Sequence, residues 1–224
     1  MPAGPQPPIA YTAAEALAMD RWLESRGFSI AALMAAAGAR VAEAARRLLR
    51  ERGLTRAVFL AGPGNNGGDA LVAERLLRGE AQTLVWRPLP RTPEADALAG
   101  AEREPSARLV AEAPALDART LVVDGLFGVG VARPLEGAAR AAVERVNASD
   151  ATVLAIDIPS GLSADTGEVL GLAVRAHETL TFVGPKTGFF RGAGPAHLGA
   201  WRAVEIGFPA GEAEAWVRAR RAAS

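Results

Sequence analysis

The sequence contains no cysteine. This excludes a disulfide framework, a thiolate nucleophile and a cysteine-bound zinc site, and it fits a cytoplasmic chain. Histidine is almost as scarce: His177 and His197 are the only two, and they stand in no metal-ligand spacing. Tyr11 is the sole tyrosine and lacks the surroundings of a reductase proton donor. No Gly-x-Ser-x-Gly marks a hydrolase elbow, and no Gly-Lys-Ser/Thr completes a Walker loop. No apolar run approaches the roughly 20 residues of a membrane span, so no membrane association is expected. The opening MPAGPQPPIA lacks the basic and apolar regions of a signal peptide, and residues 1–10 read as a disordered Pro-rich tail. Net charge is absent as well. Twenty-five basic residues balance 25 acidic ones, which argues against a nucleic-acid partner. Lysine is the most telling scarcity: 24 of the 25 basic residues are arginine and one, Lys186, is lysine. In a chain rich in Ala, Arg and Gly, as a GC-rich genome encodes, a lone lysine marks a position that arginine does not fill.

What is present points to one α/β domain. The chain has 224 residues, half of them hydrophobic. Residues 12–26 and 29–52 carry helical periodicity, with Ser29 as N-cap and Gly53 as stop of the second. From residue 56 short apolar runs alternate with helical segments. Strands are expected at 56–62, 81–90, 119–125, 151–157, 178–183 and 200–209, and helices at 69–79, 92–104 and 137–149. Continuous apolar strands between helices indicate a mostly parallel sheet covered on both faces. Residues 210–224 read as a short helix or tail outside the core.

Ligands of such sheets sit beyond the carboxyl ends of the strands. Four strands end there in unusual chemistry. AGPGNNGGD (61–69) formally matches Gly-x-Gly-x-x-Gly at Gly62, Gly64 and Gly67. A dinucleotide fold of the dehydrogenase type wants an acid after the second strand, and this one offers Arg87. Asn65, Asn66 and Asp69 are more than a phosphate cradle needs. The plain alternative is a Gly/Asn turn with Asp69 as helix N-cap. Asp124 and Asp157 each follow an apolar strand, where a carboxylate is costly unless paired or part of a site. Gly128 and Gly130 make a second flexible loop, with Arg133 as a candidate phosphate partner. Ser160 follows Asp157 in a turn whose carbonyls suit a hard cation or a sugar. Lys186, in FVGPKTGFF, lies on the same rim, where an ammonium can meet substrate or fix a rim carboxylate.

AGPGNNGGDALVAERLL, VVDGLFGVGVARPLEG, AIDIPSGLSADTGEV and TFVGPKTGFF together resemble the YjeF N-terminal domain, the NAD(P)HX epimerases. SIAALMAAAG resembles the family's N-terminal helix motif and VEIGFP its closing strand, with Ala35 where the family usually has an acid. The resemblance runs from residue 12 to 209, within a domain bounded at 11–209. It implies a Rossmann-like three-layer αβα sandwich, usually a homodimer, that interconverts the R and S forms of hydrated NADH or NADPH. It implies that Asn65, Asn66, Gly67, Gly68, Asp69, Gly128, Val129, Gly130, Val131, Ala132, Arg133, Pro134 and Asp157 contact this substrate. It implies a potassium ion (K+) held by Asn66, Asp124 and Ser160. Many relatives carry a second domain, an ADP- or ATP-dependent dehydratase, so the chain is either stand-alone or the front half of a longer protein.

Inversion of the substrate carbon needs proton transfer at oxygen and stabilisation of positive charge on the ring. Asp124 is the first candidate for acid–base work, although a potassium ligand is better kept ionised; either Asp124 serves both roles or the ion and acid roles are split between Asp124 and Asp157. Lys186 is the second functional candidate. The competing reading is a non-catalytic nucleotide-binding or dimerisation module, in which the rim motifs would be eroded; here they are intact.

Overall fold

The computed structural model describes residues 9–100 and 108–223. Of the disordered tail expected at 1–10, residues 1–8 fall outside the described residues, as does the end of the helix expected at 92–104; Ile9, against that expectation, is buried in a core cluster. Two helices open the chain. Thr12 and Glu15 form a reciprocal capping box at the start of α1 (Ala13–Ser25). Ser29 caps α2 (Ile30–Glu51) by accepting from the Ala32 N–H, and Gly53 follows its end at φ +61°, as expected.

The sheet contains seven parallel strands: β1 (Arg56–Ala61), β2 (Gln82–Trp86), β3 (Leu109–Val110), β4 (Thr120–Gly125), β5 (Thr152–Ile156), β6 (Glu178–Phe182) and β7 (Ala200–Val204). Their order is β3-β2-β1-β4-β5-β6-β7. The order reverses between β1 and β4, which pair from Arg56–Thr120 to Ala61–Gly125. This is the switch point beside which α/β folds bind ligands.

Both faces of the sheet are covered, and this explains the unbroken apolar strands. Ala57, Phe59 and Ala61 of β1 join one core cluster with α2 and with α3 (Asn65–Leu77). Val58 and Leu60 join the other, against α5 (Gly137–Asn147). The three-layer αβα arrangement expected from the sequence is thus present, with a wholly parallel sheet. Two short helices, α4 (Pro93–Leu98) and α6 (Gly194–Leu198), complete the connections.

Strand β3 and helix α6 lie outside the expected elements, and two further elements differ from expectation. First, α3 begins at Asn65, not near Asp69, with Gly64 as its N-cap. Asn65–Asp69 are therefore the first helical residues, and Asp69 is not a cap. Second, residues 210–222 form a full helix, α7 (Ala210–Ala222), packed on α1. Trp216 stacks on Trp22 at 5.2 Å, and Arg221 bonds both carboxylate oxygens of Glu15.

Candidate active site

A cavity of 870 Å³ opens at the carboxyl rim of the sheet. Its walls are the start of α3, the loop after β4, Asp157 after β5, Lys186 after β6 and the inner side of α1 and α2. Parallel strands bring together the four segments that the sequence singled out.

Its anion-binding wall is the N-terminus of α3. Gly64 offers no side-chain cap, and the N–H groups of Asn65, Asn66 and Gly67 have no partner among the described residues. Such a terminus carries a partial positive charge. Asn65, Asn66 and Asp69 face the cavity. Gly67 and Gly68, expected to contact substrate, turn their α-carbons inward. A Cβ on Gly67 would lie 2.0 Å from the Gly62 carbonyl, and one on Gly68 would lie 2.5 Å from the Met34 side chain. Close packing requires these glycines, and only the backbone of Gly67 can face a ligand. Arg91, whose side chain is fully enclosed, donates to the Gly62 carbonyl, to Gly64 O at 2.9 Å and to Ala95 O at 2.9 Å. It holds the turn before α3 in shape. Gly128, Val129, Gly130, Val131, Ala132, Arg133 and Pro134 face the wall from across the switch point.

Asp124 and Ser160 lie beneath the cavity floor, whereas Asn66 lines the cavity and is linked to Ser160 through the Phe127 carbonyl, to which both donate. The Asn66 amide donates to Phe127 O and Ile156 O, both at 2.9 Å. Asp124 is fully buried. Its Oδ1 accepts from Ser160 Oγ at 2.7 Å and Leu126 N at 3.2 Å, and its Oδ2 accepts from Ser160 N at 2.9 Å. Burial pushes this carboxyl up, while the Ser160 and Leu126 hydrogen bonds pull it down. Asp124 does not line the cavity. Its oxygens are engaged by protein, so it is poorly placed to exchange a proton with a substrate.

Asp157 and Lys186 form the second polar centre. Lys186 Nζ lies 2.5 Å from Asp157 Oδ1, 2.8 Å from Thr181 Oγ1 and 3.2 Å from Gly184 O. Lys186 is only 3% exposed. Of the two roles the sequence left open, direct contact with substrate and fixing a rim carboxylate, the geometry matches the second. Asp157 is held at φ +64°, in the left-handed region, so its carboxylate turns back from the strand end toward the cavity.

Three further carboxyls, Glu136, Asp69 and Asp20, line the same cavity without a hydrogen-bonding or ion-pair partner among the described residues, and the last two interact electrostatically with one another and with Asp157. Asp69 is buried, and burial reinforced by Asp157 and Asp20 holds its carboxyl well above the usual range. Asp20 projects from α1 between the buried Met19 and Leu23 positions. Asp20 is itself exposed, so the enclosure its carboxyl feels from the cavity walls is only partial. Burial, with Asp157 adding and Lys186 opposing, pushes it up to about 6. Sequence reasoning missed Asp20 and Arg91. The one signal for Asp20 was an acid set among apolar positions of an amphipathic helix.

A family model described as YjeF-related protein N-terminus matches residues 30–188. Among curated proteins, the NAD(P)H-hydrate epimerase of Limosilactobacillus fermentum is 38% identical over 204 residues, covering 85% of this chain and 93% of that protein. The NAD(P)H-hydrate epimerase of Bordetella pertussis is 49% identical over 137 residues, covering 56% of this chain and 58% of its own. The bifunctional NAD(P)H-hydrate repair enzyme Nnr of Thermofilum pendens is 43% identical over 182 residues, 74% of this chain and 33% of that protein. Among solved structures, yeast ynu0 (YNL200c) superposes with a TM-score of 0.75 at 22% identity, covering 90% of both chains, which shows the shared fold. The matched segment contains the start of α3, the β4 loop, the Asn66–Asp124–Ser160 knot and the Asp157–Lys186 pair, and on that match the chain belongs to the YjeF-related protein N-terminus family.

Proposed function

We propose that the protein is an isomerase that interconverts the R and S epimers of hydrated NADH and NADPH. The observation that carries this reading is the two-ended character of the cavity. One end presents free helix N–H groups and Arg133, suited to a diphosphate. The other presents Asp20, Asp69 and Asp157 against the single cation of Lys186, suited to a ring that becomes positive. The cavity is within the range that encloses a cofactor-sized ligand. The names of the Limosilactobacillus and Bordetella relatives support the same substrate.

The substrate carbon bears a hydroxyl and a ring nitrogen. Protonation of the hydroxyl releases water as the nitrogen lone pair forms a planar iminium. Addition of water on the other face, with loss of a proton, gives the epimer. Three tasks follow for this chain. The α3 terminus and residues 128–134 hold the diphosphate. Asp157, oriented by Lys186, places a negative charge beside the iminium. Asp69 carries the proton, a role that passes to it from Asp124 because it faces the cavity without a protein partner and burial raises its carboxyl.

Asn66, Asp124 and Ser160, with the carbonyls of Phe127 and Ile156, form an all-oxygen set apart from the Asn66 nitrogen, which donates to both carbonyls. An amide turned to present Oδ1 would complete a site for a hard monovalent cation, and we assign K+ to it. Bound there, the ion would neutralise the carbonyls and Asp124 and stiffen the cavity floor. A cytoplasmic homodimer is part of the same reading, as is fusion to a dehydratase domain in a longer protein, which the Thermofilum relative's bifunctional name supports.

The test is to add purified protein to one isolated NADHX epimer and follow the epimer ratio by chromatography. Acceleration over buffer is expected. A ratio that relaxes no faster than in buffer would favour the non-catalytic module.

A further inference from the structure

We propose that Asp20, on α1, is a catalytic acid–base residue of this site, paired with Asp69 of α3 as the second proton carrier of the inversion. The inference rests on the epimerase reading. It starts from the chemistry of inversion. Departure and return of the hydroxyl on opposite faces of the ring require a proton to be delivered on one face and removed on the other. A single carboxyl attached to one wall serves one face. Four carboxyls line the cavity; Glu136 belongs with Arg133 and Pro134 to the segment leading into α5, and the other three, Asp20, Asp69 and Asp157, come from three elements. Asp157 is taken by Lys186 at 2.5 Å and by Thr181 at 3.1 Å. Asp69 and Asp20 have no hydrogen-bonding or ion-pair partner among the described residues, and they come from different walls, α3 and α1.

α1 is fixed as a catalytic wall should be. The Thr12–Glu15 capping box sets its start, and Asp165 Oδ1 accepts from the Ala13 N–H at 2.6 Å. The Trp22–Trp216 stack and the Arg221–Glu15 pair brace its outer side. Met19 and Leu23, on either side of Asp20, are buried. The carboxylate therefore faces the cavity because its helix is immobilised on both flanks.

The groups that act on Asp20 are Asp157, Lys186, Glu24 and Arg21, and Asp69 responds to it in turn. Their balance leaves the two carboxyls in different states near neutrality. Asp69 is the more strongly raised and Asp20 is raised to about 6, so of the two Asp69 is the better proton donor and Asp20 the better acceptor. In one direction Asp69 gives its proton to the hydroxyl oxygen and the C–O bond breaks, releasing water and leaving the iminium. A water attacks the other face, the C=N electron pair returns to nitrogen, and Asp20 takes the proton lost by that water. In the reverse direction the two exchange roles. Protons and electrons balance with no further reactant, and Asp20, open to water, resets the pair.

The experiment compares wild type, Asp20→Asn, Asp20→Glu and Asp20→Ala, starting from each epimer separately. Asp20→Asn should lower kcat about 100-fold or more, the ordinary scale of general acid–base catalysis. KM and the affinity for unhydrated NADPH should stay within about threefold, and the thermal midpoint should not fall, because no hydrogen bond is lost and removal of a raised carboxylate stabilises the fold at pH above its folded value. Asp20→Glu should recover part of the rate. Formate added to Asp20→Ala should restore activity in proportion to its concentration, which a structural role would not produce. The acidic limb of the wild-type kcat profile, near pH 6, should vanish in Asp20→Asn. An active wild type with Asp20→Asn within threefold of its kcat overturns the assignment, as does a loss confined to KM. A wild type that does not exceed buffer overturns the epimerase reading itself.

Discussion

Replacing Lys186 tests how far the cavity depends on one buried ion pair. Lys186→Met removes the ammonium but keeps most of the stem. The Asp157 carboxylate then loses its cation, while Thr181 Oγ1 and the Gly184 carbonyl lose a donor. Breaking a buried pair by removing one partner costs about 3–5 kcal/mol. Asp157 has a side chain 14% exposed toward the cavity, where water can partly replace the ammonium, so about 3 kcal/mol is the better figure. For a chain of this size each kcal/mol lowers the melting midpoint by about 2–4 °C, giving a fall of roughly 6–12 °C. Lys186→Arg asks a different question. The guanidinium is broader than the ammonium, and the nest is almost closed. Overpacking of this kind costs about 1–3 kcal/mol, which corresponds to a fall of roughly 2–12 °C. Epimerisation should fall in both variants because Asp157 is no longer oriented. The assay is differential scanning fluorimetry beside the chromatographic rate. An Arg variant with an unchanged midpoint and full rate would refute the claim that the lone lysine occupies a site arginine cannot fill.

Other substitutions separate catalysis from architecture. Asp69→Asn should abolish most activity yet stabilise the fold as pH rises. The folded carboxyl is raised, so its stabilising contribution is complete below the ordinary value of about 3.9 and is lost as pH rises through the folded value. The variant-minus-wild-type difference in midpoint should be near zero at pH 4 and positive at pH 8; a difference that shrinks with pH contradicts the protonated state. Gly68→Ala should destabilise the junction of α2 and α3, because its Cβ would meet Met34 at 2.5 Å, and Met34→Ala in the same chain should restore part of the loss. Arg91→Lys should raise KM more than it lowers kcat, since an ammonium cannot span Gly62, Gly64 and Ala95 together. Activity should rise with K+ and fall in choline-only buffer after exhaustive dialysis; full activity there would remove the ion from the scheme.

The legible parts of the fold were those written locally. Strands buried on both faces read as unbroken apolar runs, and Ser29 and Gly53 marked the ends of α2. The start of α3 was not legible. Asn-Asn-Gly-Gly is a poor helical sequence, and it coils because Gly67 and Gly68 let the turn pack against Gly62 and Met34 while Arg91 pins the preceding carbonyls. Those contacts come from residues remote in sequence. The docking of α7 was hidden for the same reason. Ala213, Trp216 and Val217 make an apolar stripe, but its partner is α1, nearly the whole chain away. Strand β3 is two residues long and exists only through its pairing with β2.

The rim aspartates show why a strand-end carboxylate is an ambiguous sign in sequence. Asp124 and Asp157 both follow apolar strands and read alike. Asp124 is still inside β4, paired in register with Leu60 of β1 and Ala155 of β5. A carboxylate there is enclosed on both sides, and three hydrogen bonds satisfy it within the protein. Asp157 stands one residue beyond β5, where φ +64° turns the chain and swings the side chain onto the rim. Two positions of register, with Asp124 level with Ala155, separate an anchor beneath the floor from a charge in the cavity. The chemistry therefore passes to the carboxyls the sheet does not enclose: Asp157 beyond the strand, Asp69 in the first turns of α3, and Asp20 on a helix whose place at the rim no local pattern announced.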